Sequence, residues 1–274
     1  MIQMYTHFLI TRFNIKVSGL GPEGLDSALV DEHWFEQRIK LFEMNCAPSV
    51  IRQTQINFTW LIYIDPSTDL GRFTMLKNSP VAIELVFADD FPAMKKDIIS
   101  RIKAASSPYV ITSRMDNDDV VSAMYIQTIQ DAFQPKDKRI INLNSGFDYH
   151  SQLRLLTKWN KRFRNGFMSL IEASSASTIY SVYGFPHWKP PVEATVHNCE
   201  GPPYWIYWRH GVNYSDQEKK GIPVFFKPDM AAFPPAVQAI SISLKNTTRY
   251  FLEWLPGMIK RRLRRMTRPG EAES

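Results

Sequence analysis

Four apolar, β-rich runs at residues 7–12, 58–64, 81–87 and 109–113 alternate with helical patterns at 31–44, 49–55 and 92–105, and this alternation constrains the chain more than any other feature. Strands separated by helices of this length cannot pair as tight hairpins. They need crossover connections, which predicts βαβ units and a mostly parallel sheet flanked by helices, in the order of a nucleotide-binding half. Within 31–44, Trp34, Ile39, Leu41 and Phe42 stand among charged residues and are expected to pack into the core, with Pro48 breaking the chain and Ser49 capping the next helical segment.

Farther on, a helix is expected over 122–133, ended by Pro135, and then short strands at 139–143, 167–172 and 178–183. Residues 186–203, rich in Pro and aromatic side chains, read as an ordered but irregular binding loop, and a helical region starts near Pro235. The expected organisation is an α/β domain over 1–234, with a nucleotide-binding half to about 120 and an acceptor half beyond it, followed by a helical region over 235–274.

With 274 residues, 44% of them hydrophobic, the chain can bury a sizeable core. Its two cysteines, Cys46 and Cys199, are too few for a disulfide framework or a zinc site, which suits a reducing compartment. The opening MIQMYTHFLITRFNI has no basic leader followed by a long apolar core, and no apolar run approaches the roughly 20 residues that span a bilayer, so a cytoplasmic protein is expected. The net charge of +6 is concentrated in residues 249–274, where seven Lys or Arg stand against three Glu. A basic tail on a nearly balanced body does not make a nucleic-acid-binding surface, so no nucleic-acid partner is expected.

The strongest local feature is YVITSRMDNDD at 109–119, an apolar strand that ends in Arg114 and then Asp116, Asn117, Asp118 and Asp119. Three carboxylates in four positions repel one another unless a cation or several donors offset them. Such oxygen-rich clusters suit Mg²⁺ or Mn²⁺, which take one or two protein carboxylates together with phosphate oxygens, and the carboxyl end of a parallel strand faces the ligand crevice. An EF-hand loop is poorly supported because Val120 and Val121 stand where it needs an oxygen ligand and a glycine. An acidic cap for the helix beginning near Ser122 would account for the cluster equally well on its own.

Its surroundings shift that balance. The strand FTWLIYI ends in Asp65 and continues Pro66-Ser67-Thr68-Asp69. Together with SRMDNDD this resembles the early acidic turn and the later strand-end DxD of GT-A glycosyltransferases. More closely, TRFN at 11–14, HWFEQRIKLFE at 33–43, PSVIRQT at 48–54 and SRMDNDD resemble the bacterial family labelled putative rhamnosyltransferases, over about 8–213.

The resemblance implies a GT-A-like fold, a nucleotide-sugar donor such as dTDP-rhamnose, and a glycan or lipid-linked glycan acceptor in bacterial surface polysaccharide synthesis. Asp65, with Asp69, would contact the base or ribose, and Arg12 would lie near the same pocket. Asp116 and Asp118 would mark the DxD positions and hold Mn²⁺ or Mg²⁺ against the donor diphosphate, with Arg101 and Arg114 pairing with phosphate oxygens. In PPYWIYWRHGVN, His210 is the candidate for a late metal ligand, and Trp205, Tyr207 and Trp208 would form a sugar platform or simply core. An inverting displacement needs a general base. The late acidic pair of better-known inverting families is not evident here, which leaves Glu172, Glu200 and Asp119.

At the carboxyl end Leu252, Leu255, Ile259, Leu263 and Met266 recur at three- and four-residue steps, surrounded by Lys260, Arg261, Arg262, Arg264, Arg265 and Arg268. Such a stripe can lie in an anionic membrane interface, although Pro256-Gly257 could break it. A sugar nucleotidylyltransferase would need a glycine-rich loop after the first strand, and Gly19, Gly21 and Gly24 come too late. A non-catalytic glycan-binding or scaffold protein of a polysaccharide assembly complex remains the competing expectation.

Overall fold

The computed structural model describes residues 3–16, 32–159, 165–210 and 221–267, with side chains as far as Ile259 in the last stretch. Gly19, Gly21, Gly24, Arg268 and the basic side chains from Lys260 onward lie outside the described residues.

Strands β1 (Tyr5–Arg12), β2 (Thr59–Ile64), β3 (Ala82–Phe87) and β4 (Tyr109–Arg114) follow the expected runs closely. Among the described residues they join β6 (Arg139–Leu143), β9 (Ser169–Ala173) and β10 (Thr195–Cys199) in a seven-stranded sheet ordered β10-β6-β9-β4-β1-β2-β3. All its pairs are parallel except those of β9, which runs antiparallel to β4 and β6. The expected α/β architecture, a large mostly parallel sheet flanked by helices, is the observed one. Alternate strand residues fill two apolar layers: Leu9, Trp60, Ile62 and Ile111 face one side, and Ile10, Leu61, Tyr63 and Val110 face the other. Burying each such side chain contributes about 1.5–3 kcal/mol before chain entropy is set against it.

A second sheet was not foreseen. Strands β5 (Val120–Val121), β7 (Gly146–His150), β8 (Leu155–Trp159), β11 (Trp205–Arg209) and β12 (Ile222–Pro223) assemble in the order β12-β8-β7-β11-β5. Trp205 lies at its centre, stacked on Phe167 at 5.0 Å with its indole N–H donating to Leu143 O at 2.7 Å. Gly146 has no side chain because Trp205 occupies the space: a Cβ there would come within 2.2 Å of the ring. Trp205 and Trp208 are therefore core, while Tyr207 is only partly buried.

Helix α1 (Glu32–Leu41) does not end at Pro48. It runs through a π-helical turn (Phe42–Cys46) into α2 (Ala47–Ile51), so Pro48 lies inside a continuous helical rod just after the wider turn. Ser49 is buried and donates back to Cys46 O, so it caps nothing. Helix α3 (Phe91–Ala104) crosses from β3 to β4, and α4 (Tyr125–Asp131) is shorter than expected. Residues 178–183 form turns, with Ser181 at φ 57°, while the supposed irregular loop contains β10. After α5 (Pro235–Gln238), helix α6 (Leu244–Thr267) continues through Pro256, so the proline does not break it.

Candidate active site

The carboxyl ends of β1, β2 and β4 meet at one rim of the large sheet. There β1 runs on into Asn14, whose amide ties together the turn after β2: its Oδ1 accepts from Asp65 N at 3.0 Å and its Nδ2 donates to Thr68 Oγ1 at 2.9 Å. Asp65 in turn accepts from Ser67 N at 2.9 Å, and Lys16 Nζ lies 3.8 Å from its other oxygen. Partial burial opposes ionisation of Asp65, yet the Ser67 hydrogen bonds and Lys16 together hold its carboxyl below the usual range. Asp69 caps the following 3-10 turn by accepting from Gly71 N at 2.8 Å. Asn14, Phe35, Asp65, Thr68, Asp69 and Arg72 line a cleft of about 160 Å³ at this corner.

Beside the cleft lies the acidic loop. Asn117 pins it to the end of β1 by donating to Phe13 O at 2.9 Å. Asp118 is buried, and its Oδ2 meets both His210 Nε2 at 3.0 Å and Arg38 Nη1 at 2.6 Å. Burial alone would raise the Asp118 pKa, but the hydrogen bond from His210 and the charge of Arg38 hold it below the ordinary carboxylate value. Asp119 is pushed well above that value, first by burial and then by Asp118 and Asp116. The β5–β11 ladder ends at Val120, and Asp119 Oδ1 takes over by accepting from Trp208 N at 3.0 Å. The π-helical turn lies close by, since burial and then Asp118, Asp119 and Asp116 push the Cys46 thiol up.

Asp116 is the open member of the cluster, with a side chain 44% exposed and Oδ1 3.6 Å from Arg114 Nη2. Arg114 stands over the Tyr183 ring at 5.0 Å, and its buried Nε has no acceptor. Burial pushes Tyr183 up to about 12, against Arg114 and Arg12. Arg12 is therefore beside Tyr183, 5.8 Å from the Phe91 ring, and does not line the cleft around Asp65.

Two expected residues, Arg101 and Glu172, are not brought to this rim, and a third, Glu200, lies far along it. Arg101 sits near the end of α3, which runs antiparallel to the strands it joins, so it lies toward their amino ends; it donates to Asp97 at 2.7 Å and Glu84 at 2.6 Å. Glu172 faces Val110, four residues or roughly 13 Å back from Arg114, because β9 runs antiparallel. Its buried carboxylate accepts from Tyr180 N at 2.7 Å and Ser181 N at 2.8 Å, and burial keeps its pKa raised despite these bonds. Glu200 is exposed after β10, the outermost strand, three strand spacings or roughly 14 Å from β4.

Asp118 and His210 can supply two ligands to a divalent cation, with Asp116 adjacent on the same loop. Among the described residues no group of three His, Cys, Asp or Glu converges closely enough to hold an ion unaided. That donor set fits Mg²⁺ or Mn²⁺ completed by substrate oxygens. The residues that sequence reasoning missed are Arg38 and Asn14. The signal for Arg38 was a cation on the same helical stripe as Phe35 and Phe42.

Among known proteins, no curated one matches the chain. Similar solved structures include S. aureus TarS residues 1–349 in complex with UDP-GlcNAc, at 11% identity and a TM-score of 0.46, covering 78% of this chain and 62% of that one. HddC from Yersinia pseudotuberculosis is similar at 11% identity and a TM-score of 0.34, covering 74% and 93%. The inositol-1-phosphate CTP transferase from T. maritima is similar at 13% and 0.37, covering 78% and 94%. The chain spans about three fifths of the length of the TarS structures it matches. The model of the family described as "Putative rhamnosyl transferase" matches residues 7–222, and the chain belongs to that family of glycosyltransferases.

Proposed function

We propose that the protein transfers a sugar from a nucleotide-diphosphate donor to a glycan or lipid-linked glycan in surface polysaccharide synthesis, with the rhamnose of dTDP-rhamnose as the donor sugar that the family description suggests. The observation that carries this reading is the meeting of Asp118 and His210 beside a cleft walled by Asn14, Asp65 and Asp69. In it, the base and ribose bind at the cleft and the diphosphate extends toward Asp118. Arg114, and Arg12 beside it, offer forked donors to phosphate oxygens.

Mn²⁺ or Mg²⁺, held by Asp118, His210 and Asp116, would stabilise charge gathering on the departing diphosphate. The mixed imidazole and carboxylate set favours Mn²⁺. Of the three carboxylates considered for the base of an inverting displacement, Asp119 is the one at the cluster, and it takes that role in this reading. Glu172 is occupied in holding the turn at Tyr180 and Ser181. The protein is read as cytoplasmic and peripheral on the inner face of the membrane. Leu252 is 63% exposed and Ile259 46% exposed on α6, with Phe226 83% exposed nearby in sequence to Phe225, which contacts Phe251. No described helix is long and apolar enough to cross a membrane.

The test is donor turnover with and without metal. Hydrolysis or transfer from dTDP-rhamnose that needs Mn²⁺ or Mg²⁺ and is lost in Asp118→Asn supports the reading; no turnover of any nucleotide-sugar with either metal leaves a glycan-binding protein in its place.

A further inference from the structure

Arg38 and a divalent cation compete for the same atom. Its Nη1 is 2.6 Å from Asp118 Oδ2, the oxygen that also meets His210 Nε2 at 3.0 Å, and 3.4 Å from Asn117 Oδ1. The guanidinium lies 5.1 Å from the centre of the Trp34 ring, a cation–π contact that helps to hold it in place. Only 14% of the Arg38 side chain and 8% of the Asp118 side chain are exposed, so water screens the pair poorly. A buried carboxylate without a partner is costly, and Arg38 supplies the partner when no cation does. Once a dication sits on Asp118 and His210, the same guanidinium is repelled at contact distance and must leave.

The helix determines where it goes. Phe35 and Arg38 are three positions apart and share a face of α1; Phe35 walls the cleft beside Asp65 while Arg38 reaches the acidic loop. A diphosphate running from that cleft to a cation at Asp118 would have Phe35 at its start and Arg38 at its end. Arg38 can therefore change partners by rotamer alone, from one carboxylate oxygen to phosphate oxygens, for which its planar fork is suited.

We propose that Arg38 is the counter-ion of the ligand-free site, occupying the place beside Asp118 that the cation takes and passing to the donor diphosphate when the cation enters. This rests on the proposed metal-dependent transfer. It makes cation and donor binding cooperative, because each removes a cost the other would bear.

Binding of Mn²⁺ to the full chain without nucleotide, followed by the paramagnetic resonance of the free ion, tests it. Arg38→Gln should bind Mn²⁺ about tenfold more tightly than the natural protein, and Arg38→Lys, which keeps the charge, should stay within about threefold. With saturating Mn²⁺, Arg38→Gln should bind dTDP about tenfold more weakly. Should Arg38→Gln not fold, Trp34→Leu frees the guanidinium without touching the loop and should also tighten Mn²⁺ binding. Equal or weaker Mn²⁺ binding by folded Arg38→Gln, or by Trp34→Leu in its place, overturns the role of Arg38 alone. Failure of every form, natural protein included, to bind Mn²⁺ overturns both this role and the metal-dependent reading beneath it.

Discussion

His210 Nε2 and Asp118 Oδ2 stand 3.0 Å apart although 92 positions separate the two residues in the chain. Strand β11 of the second sheet makes that contact: it starts beside Val121, runs back along the acidic loop and ends at Arg209. If the pair holds a metal, Asp118→Asn and His210→Gln should each weaken Mn²⁺ binding at least about tenfold. Calorimetric titration of each folded variant checks this, and unchanged affinity in both would remove the site.

Glu172→Gln separates a structural carboxylate from a chemical one. Exchanging one oxygen for an amide leaves one of its two backbone N–H donors, Tyr180 N or Ser181 N, without an acceptor, so stability should fall by about 1–3 kcal/mol. Transfer activity measured well below the lowered melting temperature should stay within about twofold. A loss of transfer with an unchanged melting curve would restore Glu172 as the base.

Asn14→Ala should weaken binding of dTDP at least severalfold while Mn²⁺ binding in its absence holds. The amide joins β1 to the turn at Asp65 and Thr68, and both its hydrogen bonds go to that turn. Fluorescence or calorimetric titration with the nucleotide decides it, and equal affinity would place the nucleoside elsewhere.

Acid should destabilise the protein through His7. Burial lowers its pKa to about 3, with Nε2 2.8 Å from Ser113 Oγ. A depressed folded pKa means that the neutral ring's contribution is complete above the unfolded value near 6.5 and is lost as pH falls toward 3. The loss between pH 7 and pH 4 should reach about 3 kcal/mol, at roughly 1.4 kcal/mol per pH unit. In His7→Gln this slope should flatten; an unchanged slope in urea titrations across the range would assign the acid sensitivity to other groups.

The parallel half of the fold was legible because buried strands and amphipathic helices have different periods, and β1 to β4 obey them. The second sheet was not. β7 reads GFDYH and is buried along its whole length, so no alternation between a wet and a dry face marks it. In the apolar stretch 178–183 the left-handed Ser181 and the bonds to Glu172 impose turns that composition does not record.

At the site, sequence supplied residue types but not the end of the sheet on which each would sit. Asp65, Asp116 and Asp118 follow parallel strands and so reach one rim. Arg101 approaches β4 from the opposite end of a crossover helix, and the reversed direction of β9 carries Glu172 away. Arg38 was hidden because a cation among aromatic side chains on a helix looks like a solvated edge until its partner, 80 residues on, is known.

The π-helical turn at Phe42–Cys46 has a consequence for that arginine. Below it, the segment just after α2 is bolted to the chain leaving β5, where Gln53 Nε2 donates to Ser122 O and Thr54 N to Ala123 O. Above it, α1 takes its angular phase from the wider turn. Removing one residue there would shorten the rod by only about 1.5 Å yet swing its upper half by roughly 100°, turning the guanidinium out of the crevice. The irregular coil thus acts as an indexing ring, and a single-residue deletion would disarm the rim without disturbing a strand.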